Sequence, residues 1–225
     1  EVISATHNKI NTYRMFKEAG VKTPESYWKG KEYSGGFPCY IKPVAGSSSI
    51  NAFRVNNEKE LEFFKYYIKD YIIQELIEGE EYTIDVLCDF SGNPIYITPR
   101  LRIATRSGEV LKTRIENNKV LIDKVKLILE YLKPAGPITV QAIRCHRDNQ
   151  FYFIEVNARF GGGSPLSMMA GANSVEAIYR LIKGERLEYI ADAAQDGLVL
   201  VRFDQSIMLD SLQGGGYERI KSGNF

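Results

Sequence analysis

Three polar residues alternate along a segment that otherwise has the composition of a β-strand. Residues 151–156 are rich in Tyr, Phe, Ile and Val, which favour strands, and Glu155, Asn157 and Arg159 follow at every second position. Because side chains alternate across a strand, we predict that all three point to one face. Cα atoms two positions apart lie about 6.6 Å apart, so a carboxylate and an amide oxygen could bind one ion. Arg159 would stand beside that ion as a cation for developing negative charge.

A second strand is predicted at residues 138–144, and residues 146–149 have the composition of a hairpin turn. If the hairpin closes near residue 148, Gln141 lies opposite Glu155. Gln141, Glu155 and Asn157 would then form a set of oxygen ligands with few protein groups. Such a set suits Mg²⁺, which keeps waters and shares its coordination sphere with phosphates, better than zinc. The alternative is an edge strand with a solvated polar face.

Residues 35–55 predict a strand, a loop of small residues and another strand. The loop at residues 45–49 offers backbone N–H groups and hydroxyls that could approach phosphates, although it matches neither the Walker pattern nor Gly-x-Gly-x-x-Gly. Lys42 ends the first strand, where its ammonium could reach the same phosphates. The alternatives are a flexible hairpin loop and an edge-strand lysine that prevents aggregation.

Residues 6–19 have helical spacing, with Thr6 or Asn8 as the N-cap. Lys9 lies in the first turn, where a cation is unfavourable unless an anion is nearby; a solvated lysine is the alternative. Residues 58–68 predict another helix. A short strand is expected around residues 26–28.

Strands are also predicted at residues 71–77 and 80–88, separated by a bend at Glu78 and Gly79. Alternation in the second of these strands places Glu81, Thr83 and Asp85 on one face. The bend could be a hinge whose backbone meets a purine edge while Glu81 meets ribose hydroxyls, or a simple crossing between two lobes.

Composition excludes several classes of protein. The chain has 225 residues, 44% apolar and 25% charged, which is ordinary for a soluble globular protein. With 29 Lys and Arg against 28 Asp and Glu, we expect no nucleic-acid or membrane partner. Three widely spaced cysteines and no signal peptide fit a reducing cytoplasm. The start at Glu1 without a Met suggests that residues are missing upstream.

Several motifs together resemble the ATP-grasp superfamily, and within it the carbamoyl-phosphate-synthase-like group. They are Phe-Pro-x-Tyr-Ile-Lys-Pro at 37–43 with the following Gly-Ser loop, Gln-Glu-Leu-Ile-Glu-Gly-Glu-Glu-Tyr-Thr-Ile-Asp-Val at 74–86, Val-Gln-Ala at 140–142, and Phe-Ile-Glu-Val-Asn-Ala-Arg-Phe-Gly-Gly-Gly at 153–163. The similarity runs from about Thr6 to Lys183. It is specific for the superfamily and does not identify a substrate.

The resemblance implies an α+β ATP-grasp fold, in which two lobes with antiparallel sheets clasp a nucleotide. The expected organisation is a linker helix at 1–20, a small lobe with the glycine-rich flap at 21–78, a large lobe with the metal and catalytic residues at 79–190, and a C-terminal strand and tail at 191–225. A homodimer is compatible with the resemblance. The family's N-terminal domain, which helps enclose the acceptor, would be missing here, so the activity of this chain by itself is open.

The resemblance also implies roles for individual residues. The expected cofactors are ATP and Mg²⁺, with Mn²⁺ as a possible substitute, and the expected catalytic residues are Arg159 and Lys42. The metal ligands would be Gln141, Glu155 and Asn157, although many members carry an acidic residue at the first position. Nucleotide contacts would come from Lys9, Lys42, Gly46, Ser47, Ser48, Ser49, Gln74, Glu75, Leu76, Ile77 and Glu81.

The acceptor site is expected near Arg100 and Arg102, which alternate on one predicted strand and could hold a carboxylate, and near Gly162 and Gly163, where the chain could pass close to a substrate. The alternatives are surface arginines and a turn into a helix. The expected activity is ADP-forming ligation of a small carboxylate to an amine through an acyl phosphate. Phosphorylation of bicarbonate or carbamate, a nucleotide-binding module without turnover, and an unrelated α+β interaction domain are the other hypotheses.

Overall fold

The structure is a computed structural model that describes residues 2–46, 50–106, 108–203, 209–212 and 216–219. The described helices are α1 Val2–His7, α2 Lys9–Glu18, α3 Glu58–Tyr67, α4 Lys119–Leu132, α5 Ser164–Met169 and α6 Ser174–Ile182. The described strands are β1 Ser26–Trp28, β2 Cys39–Pro43, β3 Phe53–Val55, β4 Tyr71–Glu75, β5 Gly79–Cys88, β6 Pro94–Arg106, β7 Glu109–Ile115, β8 Gly136–Cys145, β9 Phe151–Asn157, β10 Val199–Val201, β11 Leu209–Leu212 and β12 Gly216–Arg219.

These strands form two large antiparallel sheets, as the predicted fold class requires. The smaller has the order β1-β4-β2-β3, and the larger has the order β10-β7-β6-β5-β8-β9. Strands β11 and β12 pair with each other in a separate two-stranded sheet. Among the described residues, no helix has the length and apolar character needed to cross a bilayer.

Each sheet packs its apolar face against helices. Leu61 of α3 lies in the core of the small sheet with Ile41 and Ile73. Phe16 of α2 and Val125 of α4 lie in the core that covers one face of the large sheet. That face carries alternate residues of β5, beginning at Tyr82, so the predicted alternation of this strand is confirmed. Burial of these faces leaves the polar residues of β5 on the opposite side, facing the small lobe and α5.

The polypeptide passes from the small to the large sheet through residues 76–78, which separate β4 from β5. Gly79 follows directly and pairs with Cys145. A Cβ atom at Gly79 would lie 2.1 Å from the backbone oxygen of Arg144, so no other residue fits there without moving β8. This close approach fixes the point at which the chain enters the large sheet.

The sequence predicted one continuous helix over residues 6–19, and the structure divides it at Asn8. The Asn8 side chain accepts hydrogen bonds from the backbone N–H groups of Ile10 and Asn11, at 2.9 and 3.2 Å. Asn8 is therefore the N-cap of α2, one of the two predicted candidates. As a result, Lys9 is the first residue of α2.

Candidate active site

A cavity of about 410 Å³ lies between the two sheets. Strands β2 and β4 contribute Tyr40, Lys42 and Gln74 to its wall. The opposite wall comes from the large sheet and includes Glu81 and Glu155. The remaining predicted site residues that line it are Lys9, Gly46, Glu75, Leu76, Ile77, Arg102 and Gln141. Residues that are far apart in sequence thus face one cleft between the two sheets.

Lys9, which lines this cavity, is held in place by contacts with the residues after β2. Its backbone N–H donates to the oxygen of Val44 at 3.0 Å, and its ammonium donates to the backbone oxygen of Gly46 at 2.9 Å. Burial lowers the pKa of Lys9, and the negative charge of Glu155 partly opposes that effect. Ser47, Ser48 and Ser49 lie outside the described residues, so only Ala45 and Gly46 of the predicted flap are described, and both line the cavity.

Lys42 is the second cation of the cavity. Burial lowers its pKa to about 8; Glu155 acts in the opposite direction, and Lys9 adds to the decrease. Neither lysine forms an ion pair with a carboxylate of the described residues. Two desolvated cations that share a cavity favour an anionic ligand, because such a ligand offsets their mutual repulsion and their lost hydration.

The β8–β9 hairpin brings the predicted metal ligands together. Gln141 pairs with Glu155, as the sequence predicted, and Thr139 pairs with Asn157. The next pair is Ala142 with Phe153, so Ile154 is an extra residue in β9. This bulge allows Phe153 to remain fully buried in the core while Ile154 and Glu155 both line the cavity.

Arg159 does not lie on a strand as predicted, because β9 ends at Asn157. The backbone N–H of Arg159 donates to the oxygen of Asn157 at 2.8 Å, so the chain turns there and does not continue the strand. The expectation that Arg159 shares a strand face with Glu155 is therefore wrong. The hydroxyl of Thr139 donates to the Arg159 backbone oxygen at 2.8 Å and fixes the turn.

This turn directs Arg159 toward a second cavity, of about 250 Å³. Asn157, Thr139, Gly162 and Gly163 also line it. The two cavities share four lining residues, which are Arg102, Gly108, Gln141 and Glu155. The site therefore has two neighbouring compartments. Two of the predicted metal ligands, Gln141 and Glu155, lie at the boundary between them, and Asn157 lines only the second.

Arg100 lies beneath the second cavity. Its side chain is only 1% exposed and forms a two-pronged ion pair with Asp85, with Nε at 2.7 Å and Nη2 at 3.1 Å from the carboxylate oxygens. Ser167 of α5 donates to the same carboxylate at 2.6 Å. A Cβ atom at Gly163 would lie 2.4 Å from Arg100 Nη1, so the glycine covers the guanidinium. Arg100 is thus placed to support the Gly163 loop. It also lines the second cavity, so its predicted contact with a substrate carboxylate stays a prediction.

Arg102 lies between the two compartments and is partly engaged. Its Nη1 lies 2.9 Å from Glu81, and its Nη2 donates to the backbone oxygen of Gly108 at 2.9 Å. Its Nε is the only buried side-chain nitrogen or oxygen without a hydrogen-bond partner in the described part of the chain. Arg102 therefore orients Glu81 and still has one unused donor.

Some residues that support the site were not predicted to do so. Sequence alternation placed Asp85 on the correct face but could not reveal its buried partner, because Arg100 is fifteen residues away. Thr139 and Ser167 gave no signal, since an isolated hydroxyl residue has no distinctive spacing. Tyr40 was also missed, although it alternates with Lys42 on β2 and was therefore detectable.

The donor set suits a hard cation that arrives with phosphates. Gln141, Glu155 and Asn157 supply one carboxylate and two amide oxygens, and no group of three or more His, Cys, Asp or Glu residues in the described part of the chain could hold an ion unaided. Mg²⁺ typically binds one or two carboxylates and completes its shell with water and phosphate oxygens. The residues present fit that mode of binding.

The fold and the two-compartment site define the class of protein. The family model described as the ATP-grasp domain matches residues 6–163, which is most of the chain. The protein therefore belongs to the ATP-grasp family.

Individual relatives are consistent with this assignment. The chain is 39% identical over 166 residues to D-alanine–D-alanine ligase of Fusobacterium nucleatum, covering 69% of this chain and 57% of that enzyme. It is 24% identical over 182 residues to 3-methyl-D-ornithine–L-lysine ligase of Methanosarcina barkeri, covering 80% of this chain and 47% of that enzyme. The chain thus spans about half the length of these relatives.

A solved structure shows the same fold. The biotin carboxylase domain of 2-oxoglutarate carboxylase from Hydrogenobacter thermophilus, in complex with MgADP, ADP and bicarbonate, matches with a TM-score of 0.74 at 19% identity. The match covers 98% of this chain and 60% of that one. The architecture of the present chain is thus found in a protein that binds a magnesium nucleotide.

Proposed function

We propose that the protein is an ATP- and Mg²⁺-dependent ligase that joins a carboxylate to an amine and releases ADP and phosphate. The observation that carries the proposal is the arrangement of two cavities around Gln141 and Glu155, with Lys9 and Lys42 on one side and Arg159 on the other. The larger cavity takes the nucleotide, and the smaller takes the acceptor. Ligases among the relatives support this assignment.

The chemical logic is activation of a poor electrophile. A carboxylate does not condense with an amine in water because hydroxide is a poor leaving group, whereas an acyl phosphate has a good one. Lys9 and Lys42 offset the negative charge of the phosphates, and Arg159 stabilises the charge of the transferring phosphoryl group. Mg²⁺ held by Gln141, Glu155 and Asn157 would neutralise charge on the phosphates.

The substrate class follows from the relatives and from the second cavity. The two ligases reported above both act on amino acids, as their names state. Arg102 and Arg159 both line the second cavity, where their positive charges would hold a carboxylate, while Gly162 and Gly163 leave room for it. We therefore propose that the acceptor is the carboxylate of an amino acid and that the amine is a second amino acid.

The test is a screen for acceptor-dependent ADP release by the full-length polypeptide. MgATP is supplied with pairs of D- and L-amino acids, and ADP, phosphate and the ligated product are measured, with a parallel reaction that contains bicarbonate alone. We expect one pair to give equimolar ADP and product, and Glu155→Gln to lower the rate at least about 100-fold because the metal loses its carboxylate.

Two other results would reject the proposed ligase activity. ADP release with bicarbonate alone would indicate carbamoyl-phosphate-type chemistry. Binding of MgADP without turnover of any pair would indicate a nucleotide-binding module.

A further inference from the structure

A chain of hydrogen bonds in the small lobe ends at the wall of the larger cavity. Ser26 of β1 and Gln74 of β4 are register partners, and both side chains are buried, at 0% and 6% exposure. The Ser26 hydroxyl donates to the backbone oxygen of Pro24 at 2.8 Å. The Gln74 amide donates through Nε2 to the Ser26 oxygen at 2.9 Å.

These two hydrogen bonds can run in only one donor-to-acceptor direction. A serine hydroxyl has a single hydrogen to donate, and Ser26 donates it in the hydrogen bond to the backbone oxygen of Pro24. The Ser26 oxygen can then only accept, so the Gln74 group that faces it must be the NH₂ group. The reversed amide would bring two acceptors together or leave the Pro24 carbonyl without its donor, which is costly in a buried place. Ser26 thus fixes which end of the Gln74 amide points away.

The other end of the amide is directed into the larger cavity. Gln74 Oε1 has no donor among the described residues, yet it does not belong to the buried unpaired atoms, so it keeps some exposed surface. Gln74 lines the larger cavity, which therefore contains that surface. Gln74 Oε1 is therefore an oriented hydrogen-bond acceptor in the wall of the larger cavity.

The neighbouring hinge supplies complementary groups. Neither Leu76 nor Ile77 forms a backbone hydrogen bond with another described residue, and both line the same cavity. Backbone N–H and C=O groups together with one fixed acceptor can bind the edge of a planar base that carries donor and acceptor atoms. A base with an amino group at the Gln74 position gains a bond there, and a base with a carbonyl at that position meets another acceptor.

We propose that Ser26 is a positioning residue that sets base selectivity, by holding the Gln74 amide so that Oε1 selects a 6-aminopurine over a 6-oxopurine. This inference rests on the proposed nucleotide site. Ser26 need not touch the nucleotide, since it acts through the direction of its hydrogen bond. Selectivity arises because a site with a fixed acceptor rejects a ligand that cannot donate to it.

The test is calorimetric binding of three magnesium nucleotides to the purified chain: ADP, inosine diphosphate and purine riboside diphosphate, which lacks the 6-amino group. For the wild type we expect ADP to bind about 10- to 100-fold more tightly than either of the others. In Gln74→Met, which removes the acceptor, the preference should fall to about threefold or less.

Ser26→Ala provides the diagnostic result. Without the Ser26 oxygen the amide can reverse and present its NH₂ group to the cavity, so ADP affinity falls while inosine diphosphate affinity stays the same or rises. A loss of packing alone would weaken the binding of both ADP and inosine diphosphate. Ser174→Ala is the matched control, because Ser174 is a buried serine that also donates to a backbone oxygen, that of Ala172, and does not line the cavity. This variant should leave the preference unchanged.

The outcomes separate this inference from the proposed function. If the wild type binds none of the three nucleotides, the nucleotide site itself is rejected. If it binds all three equally, or if Ser26→Ala retains the full preference for ADP, the role of Ser26 is rejected and the nucleotide site stands.

Discussion

Lys42→Met should weaken the binding of MgADP by about 10- to 100-fold, because a charge-assisted hydrogen bond to phosphate inside a desolvated cavity contributes about 1.5–3 kcal/mol. The cation is already partly buried near Lys9, and no carboxylate of the described residues forms an ion pair with it. The phosphates would therefore be its principal counter-charge. Calorimetric titration measures this loss directly.

The pH dependence of the same titration distinguishes a phosphate contact from a general loss of structure. In the free protein the pKa of Lys42 is about 8, and a bound phosphate would raise it by favouring the ammonium form. Below pH 8 the lysine is already protonated and affinity should be constant. Above pH 8 binding must take up a proton, so affinity should fall by up to about tenfold per pH unit.

Lys42→Arg is the matched control, since arginine remains charged throughout this range and should flatten the pH profile between 8 and 9.5. Unchanged affinity in Lys42→Met, or a wild-type profile that is flat in this range, would contradict a role for Lys42 in binding phosphate.

Asp85→Asn should lower the free energy of unfolding by about 3–5 kcal/mol, because it leaves the fully buried guanidinium of Arg100 without its counter-ion. Ser167 would also lose the charge at the end of its hydrogen bond. Urea denaturation followed by far-ultraviolet circular dichroism measures the change. The paired variant Asp85→Leu with Arg100→Met should recover much of the loss, since apolar residues of similar volume often replace a buried ion pair at little cost.

A surface ion pair provides the comparison. Lys17 and Glu25 also form a close pair, but both side chains are about half exposed. Lys17→Met should therefore cost no more than about 1 kcal/mol. If Asp85→Asn cost no more than this surface substitution, Asp85 and Arg100 would not be the support of the Gly163 loop that their contacts indicate.

Sequence reasoning was most accurate where local chemistry decides the structure. The turn composition of residues 146–149 fixed the hairpin and with it the confirmed pairing of Gln141 with Glu155. The capping preference of Asn correctly indicated Asn8, because a cap depends on only a few neighbouring backbone groups.

The failures arise where distant contacts override local pattern. Strict alternation places Phe153 on the same face as Glu155. The bulge at Ile154 separates them, because Phe153 packs in the hydrophobic core, and the sequence pattern does not show this packing. Alternation likewise extended β9 through Arg159, although a hydrogen bond from Thr139, twenty residues earlier, fixes a turn there. Strand β7 and helix α4 were not predicted at all.

For the candidate site, sequence supplied the residue types but not their contacts. Lys9, Lys42, Glu81 and Glu155 were expected near one ligand, and the structure places all four around one cavity. The ion pair of Arg102 with Glu81 and the covering of Arg100 by Gly163 join elements that are paired only in the folded sheet.

The most direct test of the proposed magnesium-nucleotide site is calorimetric titration of ADP into the purified chain with and without Mg²⁺, for the wild type and for Glu155→Ala. We predict binding that Mg²⁺ strengthens at least about tenfold in the wild type, and loss of that strengthening in Glu155→Ala, because Glu155 is the only carboxylate of the proposed metal ligands. Absence of nucleotide binding in the wild type, with or without Mg²⁺, would contradict the proposed nucleotide site and with it the proposed ligase function.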